Sequence, residues 1–290
     1  MSPRRIATLV IALAAAAWFA AGLAHRLYNR AGPGDLDFAV DFEQLDDEPW
    51  TVPGATHVCC DDSLIIVDAP VRSGRHAARF HLRRDDDDVK GSRRAEVRAK
   101  AGDLGRDYWF AFSINLPADW PDASVPVTLA QWHGVPDKWL GEAGRSPPLR
   151  LLALGGQWQL ANIWDSKRVS QTPFTANDPQ GWVLEPISSL DIDQWTDWLF
   201  HVRWSFGEDG VLEVWKNGER VYQRNGPNTY NDAVGPYLKL GIYVPEWVDP
   251  ATVTTRNDYT AYFDAVRVAE SPLDPDTVAE APAAIAEPTR

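Results

Sequence analysis

The chain has 290 residues, a formal net charge of −13, 44% hydrophobic residues and 14 tryptophans. Such an acidic balance argues against binding nucleic acid through a broad basic surface and mildly against a very highly sulfated polyanion; a local basic cleft in an acidic protein stays open. The apolar content suffices for one large core, and once the two ends are set aside roughly 235 residues remain, which suits a single all-β domain.

At the N-terminus, Arg4 and Arg5 precede an uncharged, mostly apolar run from Ile6 to Ala24. A basic segment followed by an apolar one predicts export, with Gly22-Leu23-Ala24 as a small-residue cleavage site. The run also approaches the ~20 residues that span a bilayer, so residues 1–24 read as a signal peptide or as an uncleaved membrane anchor. The domain behind them is expected outside the cytoplasm, secreted or in the periplasm or cell envelope. Residues 25–35 read as a linker. Phe38 to Glu43 then alternates apolar and polar residues like a strand.

Cys59 and Cys60 are adjacent. The usual disulfide separation does not suit neighbouring residues on a trans chain, and two cysteines alone lack a zinc-site spacing, so unpaired thiols without a role are expected. Ala78 to Arg83 alternates again. The acidic run Asp85 to Asp88, close to Gly91, predicts a solvated turn between strands. Tyr108 to Ile114 is an aromatic-rich buried strand ended by Pro117. Leu149–Leu154 and Trp158–Ile163 flank Gly155-Gly156, a hairpin signal. Trp198–Phe206 and Val211–Trp215 flank a second turn, and Asn217-Gly218 predicts a type I′ turn into Arg220-Val221-Tyr222. Tyr237–Val244 and Tyr262–Val268 close the series. Residues 271–290, rich in Pro, Ala, Asp and Glu, read as a disordered tail. The fold predicted for residues 36–270 is all-β: a two-sheet jelly roll, a concanavalin-like sandwich with a concave groove.

Three strands carry chemistry, because side chains alternate between strand faces. Arg94, Glu96 and Arg98 share one face, opposite Ala95 and Val97. Gln131 and His133 share a face opposite Trp132. Tyr237, Lys239, Gly241 and Tyr243 share a face opposite Leu238, Leu240, Ile242 and Val244. Within one sheet, these polar faces form a groove floor, and Gly241 leaves room for close approach to the backbone. The residue types suit β-elimination from a 4-linked uronate. Cationic or amide donors at the carboxylate stabilise the enolate-like charge that develops when the C5 proton leaves. A neutral His takes that proton, and a Tyr hydroxyl returns one to the departing oxygen. His133 is assigned as base, Tyr243 as acid (or both acid and base), Gln131 and Arg94 as carboxylate partners, and Lys239 as added positive charge. Glu96 orients Arg94 or Lys239. Arg98 and Tyr237 are candidate substrate contacts. Trp139 and Trp247, with Trp120 and Trp164, lie near strand ends or loops and are candidates for lining sugar subsites. Arg150 and Asn162 are further inner-face candidates without a reason to rank them.

The motifs resemble those of the jelly-roll polysaccharide lyases, in particular the heparin lyase I-like and glucuronan lyase group. Alginate lyases of that fold carry Arg-x-Glu-Leu-Arg, Gln-x-His and Tyr-x-Lys-x-Gly-x-Tyr strands. Here they read Arg94-Ala95-Glu96-Val97-Arg98, Gln131-Trp132-His133 and Tyr237-Leu238-Lys239-Leu240-Gly241-Ile242-Tyr243, in the same order. The resemblance implies catalytic roles for His133, Lys239 and Tyr243 and an anionic polysaccharide as substrate. Val244-Pro245-Glu246, where alginate lyases have Asn-Gln, favours glucuronan or heparin over alginate. The chemistry needs no cofactor. The resemblance implies a structural calcium ion away from the groove, with Asp41, Glu43 and Asp264 as hard oxygen ligands. Two other readings compete. A lectin-like carbohydrate-binding domain explains the aromatics but not the Lys and Tyr flanking a Gly opposite Gln and His. A retaining hydrolase needs two carboxylates about 5–5.5 Å apart, and Glu96 is the sole acid on the proposed groove strands before Glu246.

Overall fold

A computed structural model describes residues 3–30, 36–43, 55–176, 178–254 and 256–278. Helix α1 (Pro3–Asn29) comes first. The strands follow as β1 (Phe38–Val40), β2 (Thr56–His57), β3 (Leu64–Val67), β4 (Ala77–Arg83), β5 (Arg94–Ala101), β6 (Asp107–Asn115), β7 (Val127–His133) and β8 (Leu149–Leu154). The second half supplies β9 (Gln157–Trp164), β10 (Gly181–Ser189), β11 (Trp195–Arg203), β12 (Val211–Lys216), β13 (Glu219–Asn225), β14 (Tyr237–Tyr243) and β15 (Asp258–Ala269).

These strands form the expected two-sheet jelly roll. A seven-stranded sheet runs β10-β9-β8-β7-β14-β5-β2, and an eight-stranded sheet runs β13-β12-β11-β6-β15-β4-β3 with β1 added on β15. The two turn signals fold as their residues dictate: Gly155-Gly156 and Asn217-Gly218 all take positive φ, as a type I′ hairpin requires. Between the sheets lies the core. Leu238, Leu240 and Ile242 of β14 and Ala95, Val97 and Ala99 of β5 point into it. At its centre Trp132 of β7 meets Phe110 and Phe200 of the other sheet, with ring centroids 5.3 and 4.6 Å away. Truncating such an aromatic to Ala costs about 3–5 kcal/mol.

Gly241 has φ +131, and a Cβ there would lie 2.2 Å from the Ala95 carbonyl oxygen and 2.8 Å from Glu96 Cα. What comes close to its backbone is therefore the neighbouring strand β5.

Several boundaries move. The helix runs to Asn29, past the predicted end at residue 24 and into the predicted linker, because no Gly or Pro interrupts residues 25–29. Residues 31–35 lie outside the described residues. Residues Ala7–Asn29 are long and apolar enough to cross a membrane by length and composition, as a signal sequence also is. The last turns of α1 pack on the domain: Arg26 lies over the Trp139 ring at 5.9 Å, and Asn29 Oδ1 accepts from Arg98. The tail is ordered at its start. Leu273 and Val278 pack with Ala111 and Leu199 on the outer side of the eight-stranded sheet, around a 3₁₀ turn at Pro275–Thr277. Residues 279–290 lie outside the described residues. Cys59 and Cys60 form a vicinal disulfide across a Cα separation of 3.8 Å, which overturns the expectation of free thiols. The chain bends at both residues and brings the two sulfur atoms together.

Candidate active site

The outer face of the seven-stranded sheet gathers the predicted polar residues. The register pairs Lys239 with Gln131 on one side and Arg98 on the other, Tyr237 with His133, and Tyr243 with Arg94. A cleft of about 500 Å³ lies over this floor, lined by Arg94, Gln131, His133, Arg150, Tyr243 and Glu246 together with the loop 144–147. His133 and Tyr243 both line it, His133 from β7 and Tyr243 from β14, past the register shift between Leu240 and Tyr243.

Beneath the cleft, Glu96 is 2% exposed and organises the donors around it. Its Oε1 accepts from Gln131 Nε2, its Oε2 accepts from Lys239 Nζ, and Arg94 Nη1 lies 3.4 Å from the same Oε2. Leaving a buried carboxylate unpaired is costly, and here several partners share it. Lys239 is 1% exposed and does not line the cleft. It works from below, which corrects its expected position beside the sugar. Burial outweighs its pairing with Glu96 and pulls the ammonium pKa down to about 8.

His133 donates from Nδ1 to the Gly134 carbonyl at 2.8 Å, in the tautomer that leaves Nε2 as an acceptor. Burial, helped by the charge of Lys239, lowers its pKa to about 4. The ring stacks on Tyr237 with centroids 5.5 Å apart. Tyr243 lies under the Arg94 guanidinium, 4.5 Å from its ring centroid. A hydroxyl and an imidazole nitrogen able to accept a proton therefore face one cleft, which Arg94 also lines.

Other predicted contacts fall elsewhere. Arg98 is 5% exposed, bonded to Asn29 and flanked by the rings of Tyr28 and Tyr237, so α1 covers it. Tyr237 is a wall behind His133. Trp139 lies under α1 beside Gly22. Trp247 is 2% exposed and stacked on Tyr259, and Trp120 is 8% exposed against the same ring; both belong to the core because their loops fold inward. Asn162 points inward, donating to the carbonyls of Pro148 and Asn228. Trp164 carries the Arg224 guanidinium at 3.8 Å.

Asp41, Glu43 and Asp264, the expected calcium ligands, all accept hydrogen bonds from the backbone. Asp264 accepts from the backbone N–H of Arg72 and Ser73 on one oxygen and of Ala265 on the other. Glu43 accepts from the N–H of Arg75 and His76, while Asp41 accepts from the N–H of Glu43. Asp264 and Glu43 thereby fasten the 72–76 loop, and Asp41 holds the turn at Glu43. Among the described residues, the one cluster of three side chains spaced for a metal is Cys59, Cys60 and Asp86, and its two sulfurs are closed in the disulfide.

Sequence reasoning missed two residues. Glu246 enters the cleft from the 3₁₀ turn Pro245–Val248 that follows β14. Arg145 forms the wall, fully buried between Glu142 and Asp232 and over the Tyr230 ring at 4.0 Å. Burial there outweighs Arg145 and pushes the Asp232 carboxyl up to about 7. Glu246 carried a signal, a charged residue inside the apolar run Val244-Pro245-Glu246-Trp247-Val248, whereas Arg145, among Gly, Ser and Pro, carried none.

Comparison with known proteins adds the following. A family profile described as "Polysaccharide lyase" matches residues 42–267. An endo-β-1,4-glucuronan lyase from the fungus Trichoderma reesei superposes with a TM-score of 0.69 at 18% identity, covering 82% of this chain and 98% of that one. Alginate lyase A1-II′, of polysaccharide lyase family-7, aligns with a TM-score of 0.49 at 16% identity over 74% of this chain and 86% of its own. The marine PL-14 alginate lyase from Aplysia kurodai gives 0.48 at 13% identity over 72% and 87%. No curated protein matches the sequence.

Proposed function

From the premise that the chain belongs to the polysaccharide lyase family and is a carbon–oxygen lyase acting on polysaccharides, we propose that it cleaves a uronic-acid-containing polymer by β-elimination. The observation that carries this is the cleft that brings the free Nε2 of His133 and the hydroxyl of Tyr243 onto one floor with Arg94 and Gln131. His133 Nε2 takes the C5 proton. The electron pair of that C–H bond becomes the C4–C5 double bond, the C4–O4 bond breaks, and Tyr243 gives its proton to O4. Glu96 and Lys239 hold Arg94 and Gln131 in place from below. Glucuronan, the polymer named for the fungal enzyme, and heparin-like chains are the candidate substrates. The apolar helix α1 supports export of the domain and its attachment to a membrane while the helix is retained.

The test is incubation with glucuronan, heparin, heparan sulfate and alginate, following the ultraviolet absorbance of unsaturated uronate ends. A polymer shortened without that chromophore, or none shortened at all, overturns elimination.

A further inference from the structure

The donors expected at the substrate carboxylate, Gln131 and Arg94, and the added charge of Lys239 already have a partner inside the protein. Gln131, Lys239 and Arg94 all turn toward Glu96. Gln131 keeps an Oε1 that is buried without a donor, and a carbonyl oxygen does not bind a carboxylate. Arg145 is held by Glu142 and Asp232.

Arg150 is different. It is the register partner of Gln131 on β8, so the two side chains leave the sheet together at the middle of the cleft. Among the described residues it has neither a hydrogen bond nor an ion pair, and its Nε is buried without an acceptor. Burial lowers its pKa, with the Glu246 charge acting against that trend. Glu246 mirrors it across the same cleft. Its Oε2 is buried without a donor, and burial raises its pKa. A guanidinium and a carboxylate that share a cleft without touching leave a gap between them, and buried polar groups as a rule have partners.

We propose that Arg150 binds the carboxylate of the reacting uronate and that Glu246 accepts a hydroxyl beside it, so that the site takes an unsulfated uronate polymer. That this uronate is the one that reacts rests on the elimination reading. A planar guanidinium fork matches a carboxylate in two parallel hydrogen bonds. A sugar hydroxyl can donate to Glu246, whereas a sulfate set against it would bring two like charges together in a cleft of low dielectric.

The experiment is calorimetric binding in the His133→Ala background, where the ligand is not consumed. The probes are an oligoglucuronate, its methyl ester and a heparin oligosaccharide of equal length. Arg150→Gln is expected to weaken the acid roughly ten- to a hundredfold. Esterification is expected to weaken binding to the parent by a like factor and binding to Arg150→Gln by little. An Arg150→Gln protein with parental Tm that still distinguishes acid from ester as the parent does overturns the assignment. If that variant does not fold, Arg150→Lys carries the same comparison: it keeps the charge but loses the fork, and an undiminished difference between acid and ester overturns the assignment. Glu246→Gln is expected to narrow the preference for oligoglucuronate over the heparin fragment, and an unchanged ratio removes Glu246 from selection. Unsaturated product from the wild-type chain with no coupling at Arg150 sinks this inference alone. Coupling at Arg150 without unsaturated product sinks elimination alone.

Discussion

Two strand histidines, one on each sheet, show how structure and site differ in this molecule. His201 on β11 is fixed on all sides: Nδ1 is 2.9 Å from Glu213, Nε2 is 2.9 Å from Asp107, and the ring stacks 4.3 Å from Trp109. His133 on β7 bonds through one nitrogen only, and its other nitrogen opens on a cleft. The outer face of the eight-stranded sheet is thus a closed network in which Arg203 also pairs with Asp107 and Arg220 with Glu213. The outer face of the seven-stranded sheet has its network sunk beneath the floor, around Glu96, and leaves polar atoms above it without partners. Polar residues in a strand pattern do not by themselves mark a site; unmatched ones beside a cleft do.

The largest effect should separate the two histidines. His133→Ala and Tyr243→Phe should each cost about 10²–10⁴-fold in kcat while the protein stays folded. His201→Ala should leave kcat within a few-fold and lower Tm. Comparable kinetic losses at both histidines would erase the distinction. Next is the sunken network. Glu96→Gln leaves Lys239 buried without its counter-charge, and breaking such a pair costs about 3–5 kcal/mol, readable by urea unfolding. A stability loss near zero would mean that Glu96 is not the hub of the floor.

The pH profile sharpens the same comparison with a smaller effect. An unperturbed His133 would lose activity below about pH 6.5. With its pKa lowered to about 4, the acid limb of kcat/KM should fall near pH 4 instead. Stability should follow. His133 and His57 both have folded-state pKa values below the ordinary 6.5, at about 4 and about 3, each chiefly through burial. Below pH 6.5 the unfolded chain binds protons at these two sites that the folded chain does not. Stability should therefore decline as pH falls from 6.5 toward 4. His133→Gln should reduce this slope and leave the part due to His57, and an unchanged slope would place its source elsewhere.

The smallest effect concerns the tryptophans. Trp247→Phe should lower Tm and leave KM unchanged, since Trp247 packs on Tyr259 in the core. A raised KM would return it to the sugar path.

Most of the fold was legible in the sequence because alternation and turn residues are local signals. Leu238-Lys239-Leu240 announces its inward face, and Asn217-Gly218 its turn. Arg94, Gln131, His133 and Tyr243 were legible as a cleft for the same reason. Lys239 was misplaced because periodicity names the face of a strand but not the depth at which a side chain ends, and Glu96 draws this one down. The loop tryptophans failed because a loop has no period to reveal which way it folds. Arg150 could be seen on its strand, but its lack of a partner is a three-dimensional fact. The helix contact with Arg98 and the ordered turn at Pro275–Thr277 depend on packing between distant segments, which the sequence does not display.

Gly241 carries a last consequence. Because no Cβ meets the Ala95 carbonyl, the strand bearing Tyr243 stays paired edge to edge with the strand bearing Glu96. A single added methyl group would pry the two apart. Proton donor and charge hub therefore share one spacer of zero thickness, and no substitution at that position can adjust the first without displacing the second.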